Sequence, residues 1–264
     1  MASLAVLVLL VLIAIFADVL APHPPNVGEL ADRLQGPSSA HWFGTDAQGR
    51  DVLSRTIDAT RVDLLASLQA VGLALLVGVP LGLVAGYVGG ASDAVLSRII
   101  DALMTLPPLM LAVVVVAILG PGLGNAMIAI SILIVPSFYR VVRGATQSAR
   151  TELYIESARA IGCTHRRILG RHLLPAVMPP LLVQASFSAS VVIVAEASLS
   201  FLGLGARPPQ ATWGVMLQDA TSNIASSSYL IYPPIVMVAA TILALSLFGD
   251  GLRDALSRQP NQER

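Results

Sequence analysis

Long apolar runs alternate with short polar segments along almost the whole chain. The first run, residues 2–21, is apolar for about the 20 residues that a helix needs to cross a bilayer. A secretory signal peptide is the rival interpretation, but no basic residues precede the run and Pro22 follows it at once, which favours a retained span. The pattern predicts an all-α polytopic membrane protein with six transmembrane helices, at about residues 2–21, 62–88, 96–119, 126–142, 173–203 and 229–249.

The composition agrees with this architecture. Of the 264 residues, 55% are hydrophobic and 12% are charged, whereas an ordinary soluble domain carries about twice that share of charge. The chain contains arginine but no lysine, so it lacks the lysine that a Walker A loop places on nucleotide phosphates. Any ATP that drives this protein must therefore bind to another chain. The single cysteine, Cys163, excludes an intrachain disulfide.

The runs divide the chain into four parts. Residues 1–21 are the first transmembrane helix, 22–61 a polar external loop, 62–250 the transmembrane core with a polar loop at 151–175, and 251–264 a cytoplasmic tail. Arginine sets the orientation, since cytoplasmic segments are enriched in Lys and Arg. With 151–175 inside, both termini are cytoplasmic and most arginines lie inside. Those outside are Arg33, Arg50, Arg55, Arg61 and Arg207.

Glycine and proline mark where the predicted spans pack and bend. Gly78, Gly82 and Gly86 recur every four residues in the second span, so they line one face on which another helix can approach closely. Pro80 in the same span and the pair Pro107-Pro108 in the third are expected to kink their helices. A membrane tolerates such kinks because neighbouring helices satisfy the freed carbonyl groups.

The loop at 151–175 is a polar island between the fourth and fifth apolar runs. It is predicted to form two short helices joined at Gly162, because a helix end favours a residue that can adopt positive φ. The second of these helices extends from residue 164 to about residue 171, and Pro175 then opens the fifth run. The island is thus a compact helix-turn-helix between two spans.

The first short helix has two distinct faces. Tyr154, Ala158 and Ile161 lie on one of them at helical spacing. Glu156 and Arg159, three residues apart, lie together on another and can form an ion pair.

The order of residues in this island is Glu156-Ser157-Ala158, then Gly162, then a nine-residue spacer, His172 and Leu174-Pro175. It resembles the E-A-A-x3-G-x9-[I/H]-x-L-P loop of the membrane subunits of bacterial ABC importers, with Ser157 where Ala is usual. In that family the loop is the coupling helix, which sits in a cleft of the ATP-hydrolysing subunit. The resemblance assigns this coupling role to Glu156, Ser157, Ala158, Arg159, Gly162, Arg166 and His172.

A second block, HWFGTDAQGRDVLSR at residues 41–55, resembles the H-x-x-G-T-D-x-x-G-R-D-x-x-S-R segment of peptide- and nickel-type permeases of the C subunit class. His41, Asp46 and Asp51 are conceivable metal ligands, but a fourth ligand is missing and the spacing fits no standard site. We therefore predict no metal site. Asp46 and Asp51 are expected to cap turns and pair with Arg50 and Arg55, in a loop that shapes the outer mouth or meets a delivery protein.

Glu196 is a carboxylate late in the fifth run. It lies in A-E-x-x-L-S-F-L-G-L-G, continued by P-x-x-x-x-W-G, which is again similar to the C-type permeases. Because a charge at mid-bilayer costs about 3 kcal/mol or more, this side chain must face protein or water. It is either part of a pathway or outer gate, or a buried group hydrogen-bonded to a neighbouring helix or the outer loop. Trp213 is expected at the membrane interface, and Asp101 is expected to have a structural role.

Together these motifs resemble a dipeptide, oligopeptide or nickel-type permease subunit with the type I ABC importer fold. The resemblance implies a second, homologous permease, two ATPase subunits that bind ATP and Mg, and an extracytoplasmic substrate-binding protein. It places this chain in the bacterial inner membrane as a non-catalytic subunit that binds no cofactor and no nucleic acid. Peptides are the leading cargo, with nickel chelates, glutathione and haem left open.

The alternative function is a secondary transporter or channel that works without an ATPase. Such a protein would show several intramembrane charges and inverted repeats, whereas this chain has chiefly one deep carboxylate and no convincing repeat. The four histidines fall in polar segments rather than beside a buried nucleophile, so no catalytic constellation is evident.

Overall fold

The computed structural model describes residues 2–257, which are predominantly helical. Within that range no β-strand occurs, only an isolated bridge between Thr45 and Asp51. Short 3₁₀ helices span Leu30–Asp32 and Ser228–Ile231, and a π-helical turn spans Ile168–Leu173. The α-helices are α1 Ala2–Ile15, α2 Ala17–Leu20, α3 Val52–Val88, α4 Gly90–Met104, α5 Pro108–Leu119, α6 Leu123–Ala149, α7 Leu153–Ala160, α8 His165–Arg167, α9 Leu174–Phe201, α10 Trp213–Ser222 and α11 Tyr232–Ser257.

Four helical stretches in the described part of the chain are long and apolar enough to cross a membrane. They correspond to the second, fourth, fifth and sixth apolar runs: Val52–Val88, Leu123–Ala149, His165–Phe201 and Ser228–Leu256. The first run is not one unbroken helix as predicted. The 14-residue α1 ends at Ile15, and Phe16 adopts a turn (ψ 17°) before α2.

The third apolar run is broken rather than kinked. Helices α4 and α5 meet at an angle of 92°, so the kink expected at Pro107-Pro108 is a break between two helices. The break falls where Pro107 and Pro108 lack backbone N–H groups and where a residue that precedes proline disfavours helical geometry. Helix α4 therefore stops at Met104, and its carbonyl groups are capped by Thr105, whose hydroxyl and amide both donate to Ala102 O.

Three predicted boundaries also shift. Helix α3 begins at Val52, so the polar loop ends ten residues before the predicted limit at residue 61. Asp51 fixes this start, because its Oδ2 accepts the Ser54 amide at 2.7 Å as an N-terminal cap. Residues 204–228 contain a helix, α10, and α11 continues to Ser257 into the predicted tail. The remainder of that tail, 258–264, lies outside the described residues.

The described residues fall into two compact units, and the long helices contribute to both. The first unit comprises residues 2–70, 112–130 and 189–245. Its core is a buried apolar cluster around Trp213 from α10, to which α3 and α9 contribute Val52, Ala59 and Ile193. The cluster holds the segments that follow α2 and α9 against the start of α3.

The second unit comprises residues 71–111, 131–188 and 246–257, and its central feature is the contact of α3 with α6. A Cβ atom placed on Gly78 would lie 2.8 Å from Phe138 Cβ, and one on Gly82 would lie 2.8 Å from Tyr139 O. At Gly86 the nearest atom is Arg143 O, at 2.7 Å. The prediction that these glycines let two backbones approach closely is confirmed; we call this contact the glycine seam.

Candidate functional site

The segment at residues 151–175, which we call the coupling segment after its predicted role, starts with helix α7, which turns sharply at its C-terminus. Gly162 has φ of +79°, and the Gly162 and Cys163 amides donate to Arg159 O at 2.9 Å and Ala158 O at 3.0 Å. These two bonds form a Schellman motif, which satisfies carbonyl groups that a helix end would otherwise expose. The predicted turn at Gly162 is confirmed.

The second part of the coupling segment differs from the prediction. Instead of a separate short helix, α8 continues through the π-helical turn Ile168–Leu173 into α9, so that helix runs without a break from His165 to Phe201. Pro175 lies inside this helix and does not open it. The π-helical turn directly precedes Pro175. Proline has no backbone N–H to donate to the helix, and a wider turn accommodates a position at which that hydrogen bond is missing.

A groove of about 420 Å³ runs between α7 and the start of this long helix. Ile155 of α7 and Ile168 of the π-helical turn are buried, whereas Tyr154 and Ile161 are exposed at 46% and 80%. Exposed apolar side chains beside arginines are typical of a surface that binds another protein. The groove is lined by Tyr154, Ser157, Ala158, Ile161, Cys163, Arg167, Arg171 and His172.

The structure brings only some of the predicted coupling residues into this groove. Ser157, Ala158 and His172 line it. Glu156 and Arg166 are exposed on neighbouring surfaces. Arg159 is also exposed and lies with its guanidinium carbon 5.1 Å from the centre of the Tyr87 ring, a cation–π contact.

Tyr87, at the end of α3, therefore connects that helix to both parts of the coupling segment. Its hydroxyl lies 2.8 Å from His165 Nδ1 in α8, while its ring lies beneath Arg159 in α7. Arg150 adds a further link, since its Nη1 donates to the last carbonyl groups of α3, Gly86 O at 3.2 Å and Tyr87 O at 3.4 Å. We call these contacts the Tyr87 joint; the glycine seam lies in the turns of α3 just before it.

Helix α4 is fastened to α6 in the same unit. The Asp93 carboxylate receives two hydrogen bonds from Arg143, one of them 2.7 Å from Nη2 to Oδ2. Asp101 pairs with Arg140 at 2.7 Å, in line with its expected structural role. A two-fold contact between a carboxylate and arginine is directional as well as strong, so it fixes the orientation of α4.

In the first unit, the polar block at residues 41–55 is folded around buried ion pairs. Asp46 accepts from Arg50 Nε at 2.7 Å and lies 3.3 Å from Arg55 Nε, which confirms its predicted pairing. Asp51 instead contacts His41, at 2.9 Å from Oδ1 to Nδ1. Arg55 is 1% exposed and also donates to the carbonyl of Pro209, so the block is held against the loop after α9.

A carboxyl group of α10 lies beside this block and is disfavoured in its charged form by burial. Asp219 of α10 lies 3.5 Å from Arg50 Nη2. Burial raises the pKa of the Asp219 carboxyl, and the attraction of Arg50 and Arg55 opposes part of that rise.

Glu196 of α9 is 1% exposed and contacts protein on all sides. Its Oε1 accepts a 2.6 Å hydrogen bond from Ser200 Oγ, and Asp63 of α3 is its carboxyl neighbour. Asp63 Oδ2 in turn accepts the Trp213 amide at 2.9 Å. This arrangement is the second of the two predicted alternatives, a buried group bonded to a neighbouring helix and loop; a role in a gate stays a prediction.

The two acids are buried side by side. Asp63 Oδ1 and Glu196 Oε2 are buried and accept no hydrogen bond from a donor group among the described residues. A side chain at position 196 that donates a hydrogen bond would satisfy the free oxygen of Asp63. The acid pair therefore anchors the N-terminus of α10 on α3 and α9.

Sequence reasoning missed several of these residues. Trp213, which was expected at the membrane interface, is fully buried, and its amide donates to Asp63. Asp63 lies just after a charged stretch that resembles a loop, and the residue that donates a hydrogen bond to it, Trp213, is 150 positions away in sequence. Tyr87 lies two residues before Gly89 at the end of an apolar run. This position alone could have indicated that Tyr87 lies at the end of a helix.

Residues 78–261 match the family described as binding-protein-dependent transport system inner membrane component. Residues 1–37 match the N-terminal TM domain of oligopeptide transport permease C.

Individual relatives cover nearly the whole chain. The glutathione transport system permease protein GsiD of Pectobacterium atrosepticum is 44% identical over 94% of this chain and 83% of its own length. The dipeptide transport system permease protein DppC of Alkalihalophilus pseudofirmus is 42% identical over 96% and 84%. Among solved structures, a chain of the inward-facing MetNI methionine ABC transporter is similar in fold, with a TM-score of 0.61 and 19% identity over 78% of this chain and 97% of that one.

Proposed function

The chain belongs to the family of binding-protein-dependent transport system inner membrane components and is a multi-pass permease subunit of an ABC transporter in the bacterial inner membrane; from this we propose that it forms half of an import pathway for peptides. Relatives named for dipeptide and glutathione transport support a short-peptide cargo. The polar block and the helix after α9 would form the surface that meets a peptide-loaded binding protein.

The groove of the coupling segment is proposed as the docking site of a separate ATPase subunit. The observation that carries this proposal is the exposed apolar pair Tyr154 and Ile161 beside the arginines of α8 and the π-helical turn. ATP and Mg would bind to two such partner subunits, so that this chain performs no chemistry. A second, homologous permease would complete the pathway.

We propose that the Tyr87 joint transmits movement of the docked partner to α3. When the ATPase subunits close, α7 and α8 would move together, because both contact the same tyrosine. The glycine seam would then carry α6 along with α3. The transporter thus changes between inward- and outward-open states because ATP binding favours one of them, which is a shift of populations.

The proposed topology has six spans with both termini in the cytoplasm. The broken pair α4 and α5 would count as one of these spans, and α1 with α2 as the first. The arginine distribution supports this arrangement, since the coupling segment would be cytoplasmic and the polar block external.

Docking in the groove is tested by Ile161→Asp in the assembled transporter. A buried charge without a partner is costly at an interface, so we expect this variant to lose copurification with the ATPase subunits and ATP-driven peptide uptake. The matched control is Ile224→Asp, because Ile224 is also exposed, at 51%, but lies in the turn after α10. Wild-type assembly and uptake by the Ile161→Asp variant would refute docking here.

The cargo and the energy source are tested in proteoliposomes that contain the full complex and its binding protein. We expect labelled dipeptides or tripeptides to accumulate only with ATP inside the compartment that faces the ATPase subunits. Accumulation driven by an ion gradient without ATP would instead indicate a secondary transporter. Uptake of nickel chelates or haem in preference to peptides would refute the cargo assignment alone.

A further inference from the structure

Two histidines and an aspartate that are separated in sequence come together in the polar block. His23 follows α2, His41 opens the block and Asp51 precedes α3. One ligand atom from each of the three lies within 4.8 Å of the others, and the two imidazole rings are 4.8 Å apart at their centres. The polar block by itself lacks a further metal ligand, and His23, which precedes the block in sequence, provides one.

The hydrogen bonds fix which nitrogen of each ring is free. His41 Nδ1 lies 2.9 Å from an oxygen of Asp51, and a carboxylate oxygen accepts, so Nδ1 carries the proton and Nε2 keeps its lone pair. His23 Nε2 lies 3.0 Å from the carbonyl oxygen of Ala40, so its proton is on Nε2 and Nδ1 is free. Each imidazole in its neutral form thus presents one unprotonated nitrogen.

This pattern is the one that metal-binding histidines show. A histidine ligand usually donates its second N–H to a carboxylate or a backbone carbonyl, which fixes the ring and raises its basicity. Asp51 is itself held in place, since its Oδ2 accepts from both the amide and the hydroxyl of Ser54 at 2.7 Å. The His23 amide donates to the same Ser54 hydroxyl at 3.0 Å, so one network positions all three residues.

We propose that His23 and His41 bind a divalent first-row transition metal ion of the zinc or copper type, with Asp51 as the residue that orients His41. Imidazole nitrogen suits Zn²⁺, Cu²⁺ and Ni²⁺ rather than Mg²⁺ or Ca²⁺. On one Zn²⁺ each ligand nitrogen lies about 2.0–2.1 Å from the ion, and two rings whose centres are 4.8 Å apart are near enough to share it. Both histidines are only partly exposed, and water would complete the coordination.

The site is tested by titration of the purified full-length chain with Zn²⁺ in a calorimeter. We expect one Zn²⁺ per chain, and an affinity about 10–100-fold lower in His23→Asn and in Asp51→Asn. Asparagine at position 51 still caps α3, because Asn and Asp are equally good N-caps, so loss of folding does not explain that result. The control His172→Gln, in the coupling segment, should leave zinc binding unchanged.

Electron paramagnetic resonance with Cu²⁺ gives a second measurement. The spectrum of the wild-type chain should show coupling to two imidazole nitrogens, and that of His23→Asn to one. The proposal is overturned if the wild-type chain shows no saturable Zn²⁺ binding. It is equally overturned if His23→Asn binds Zn²⁺ with wild-type affinity, because the ion would then lie elsewhere.

Discussion

The glycine seam makes a quantitative prediction about α3. A methyl group on Gly82 would lie 2.8 Å from Tyr139 O and 2.9 Å from Val142 Cβ. The first of these atoms belongs to the backbone of α6 and cannot turn away, so Gly82→Ala requires the two helices to separate. Overpacking of this kind typically costs about 1–3 kcal/mol.

Alanine also favours a helix over glycine, by about 1 kcal/mol, and this gain would mask part of the cost. Gly72→Ala removes the ambiguity, because Gly72 is in the same helix and a methyl group there has no neighbour within 4 Å. Both variants gain the same helical preference, and only Gly82→Ala is overpacked. Its free energy of unfolding should therefore be lower than that of Gly72→Ala by about 1–3 kcal/mol.

The assay is unfolding of the purified chain in mixed micelles by increasing the fraction of denaturing detergent, followed by circular dichroism. Gly78→Ala and Gly86→Ala should behave as Gly82→Ala does, since their methyl groups meet atoms at 2.8 Å and 2.7 Å. If Gly82→Ala and Gly72→Ala are equally stable, α3 and α6 are not in close contact in solution and the seam is refuted.

Two further predictions concern single side chains. Tyr87→Phe should keep the ring beneath Arg159 but lose the hydrogen bond to His165, whereas Tyr87→Leu loses both contacts. Peptide uptake per ATP hydrolysed should fall in both variants, and it should fall further in the leucine variant. Wild-type uptake by Tyr87→Leu would show that the Tyr87 joint does not transmit movement. Glu196→Gln can donate an amide hydrogen bond to Asp63, whereas Glu196→Ala leaves Oδ1 of that buried acid unpaired. The alanine variant should therefore be less stable than the glutamine variant by about 1–3 kcal/mol in the same micelle titration. Equal stability would show that the contact between these two side chains does not stabilise the fold.

Features that depend only on neighbouring residues, such as a helix end or the face of a helix, were predictable from the sequence. Gly162 was assigned to a turn because only a residue that tolerates positive φ ends a helix in this way, and its φ is +79°. The seam followed from the spacing of Gly78, Gly82 and Gly86, since small residues on one face permit close packing whatever the partner helix is. In the same way, Tyr154, Ala158 and Ile161 were placed on one face, and all three line the groove.

Features that depend on distant contacts were not predictable. The charged residues at the start of α3 resemble a loop, but Arg55 is buried because it is bonded to Asp46 and Pro209. The role of Asp63 is defined by Trp213 and Glu196, which nothing in its neighbourhood indicates. Whether Pro107 kinks or breaks a span likewise depends on the surrounding helices, not on the proline itself.

The position of Cys163 on the groove has a practical consequence. It is half-buried, it follows the turn at Gly162, and it is the sole thiol of the chain. A fluorophore or spin label with maleimide chemistry would attach at one site of the purified chain, without removal of any other cysteine from it, before the chain is assembled with its partners. Its emission or mobility would then follow, during turnover and in the otherwise native chain, the moment at which another subunit covers that surface.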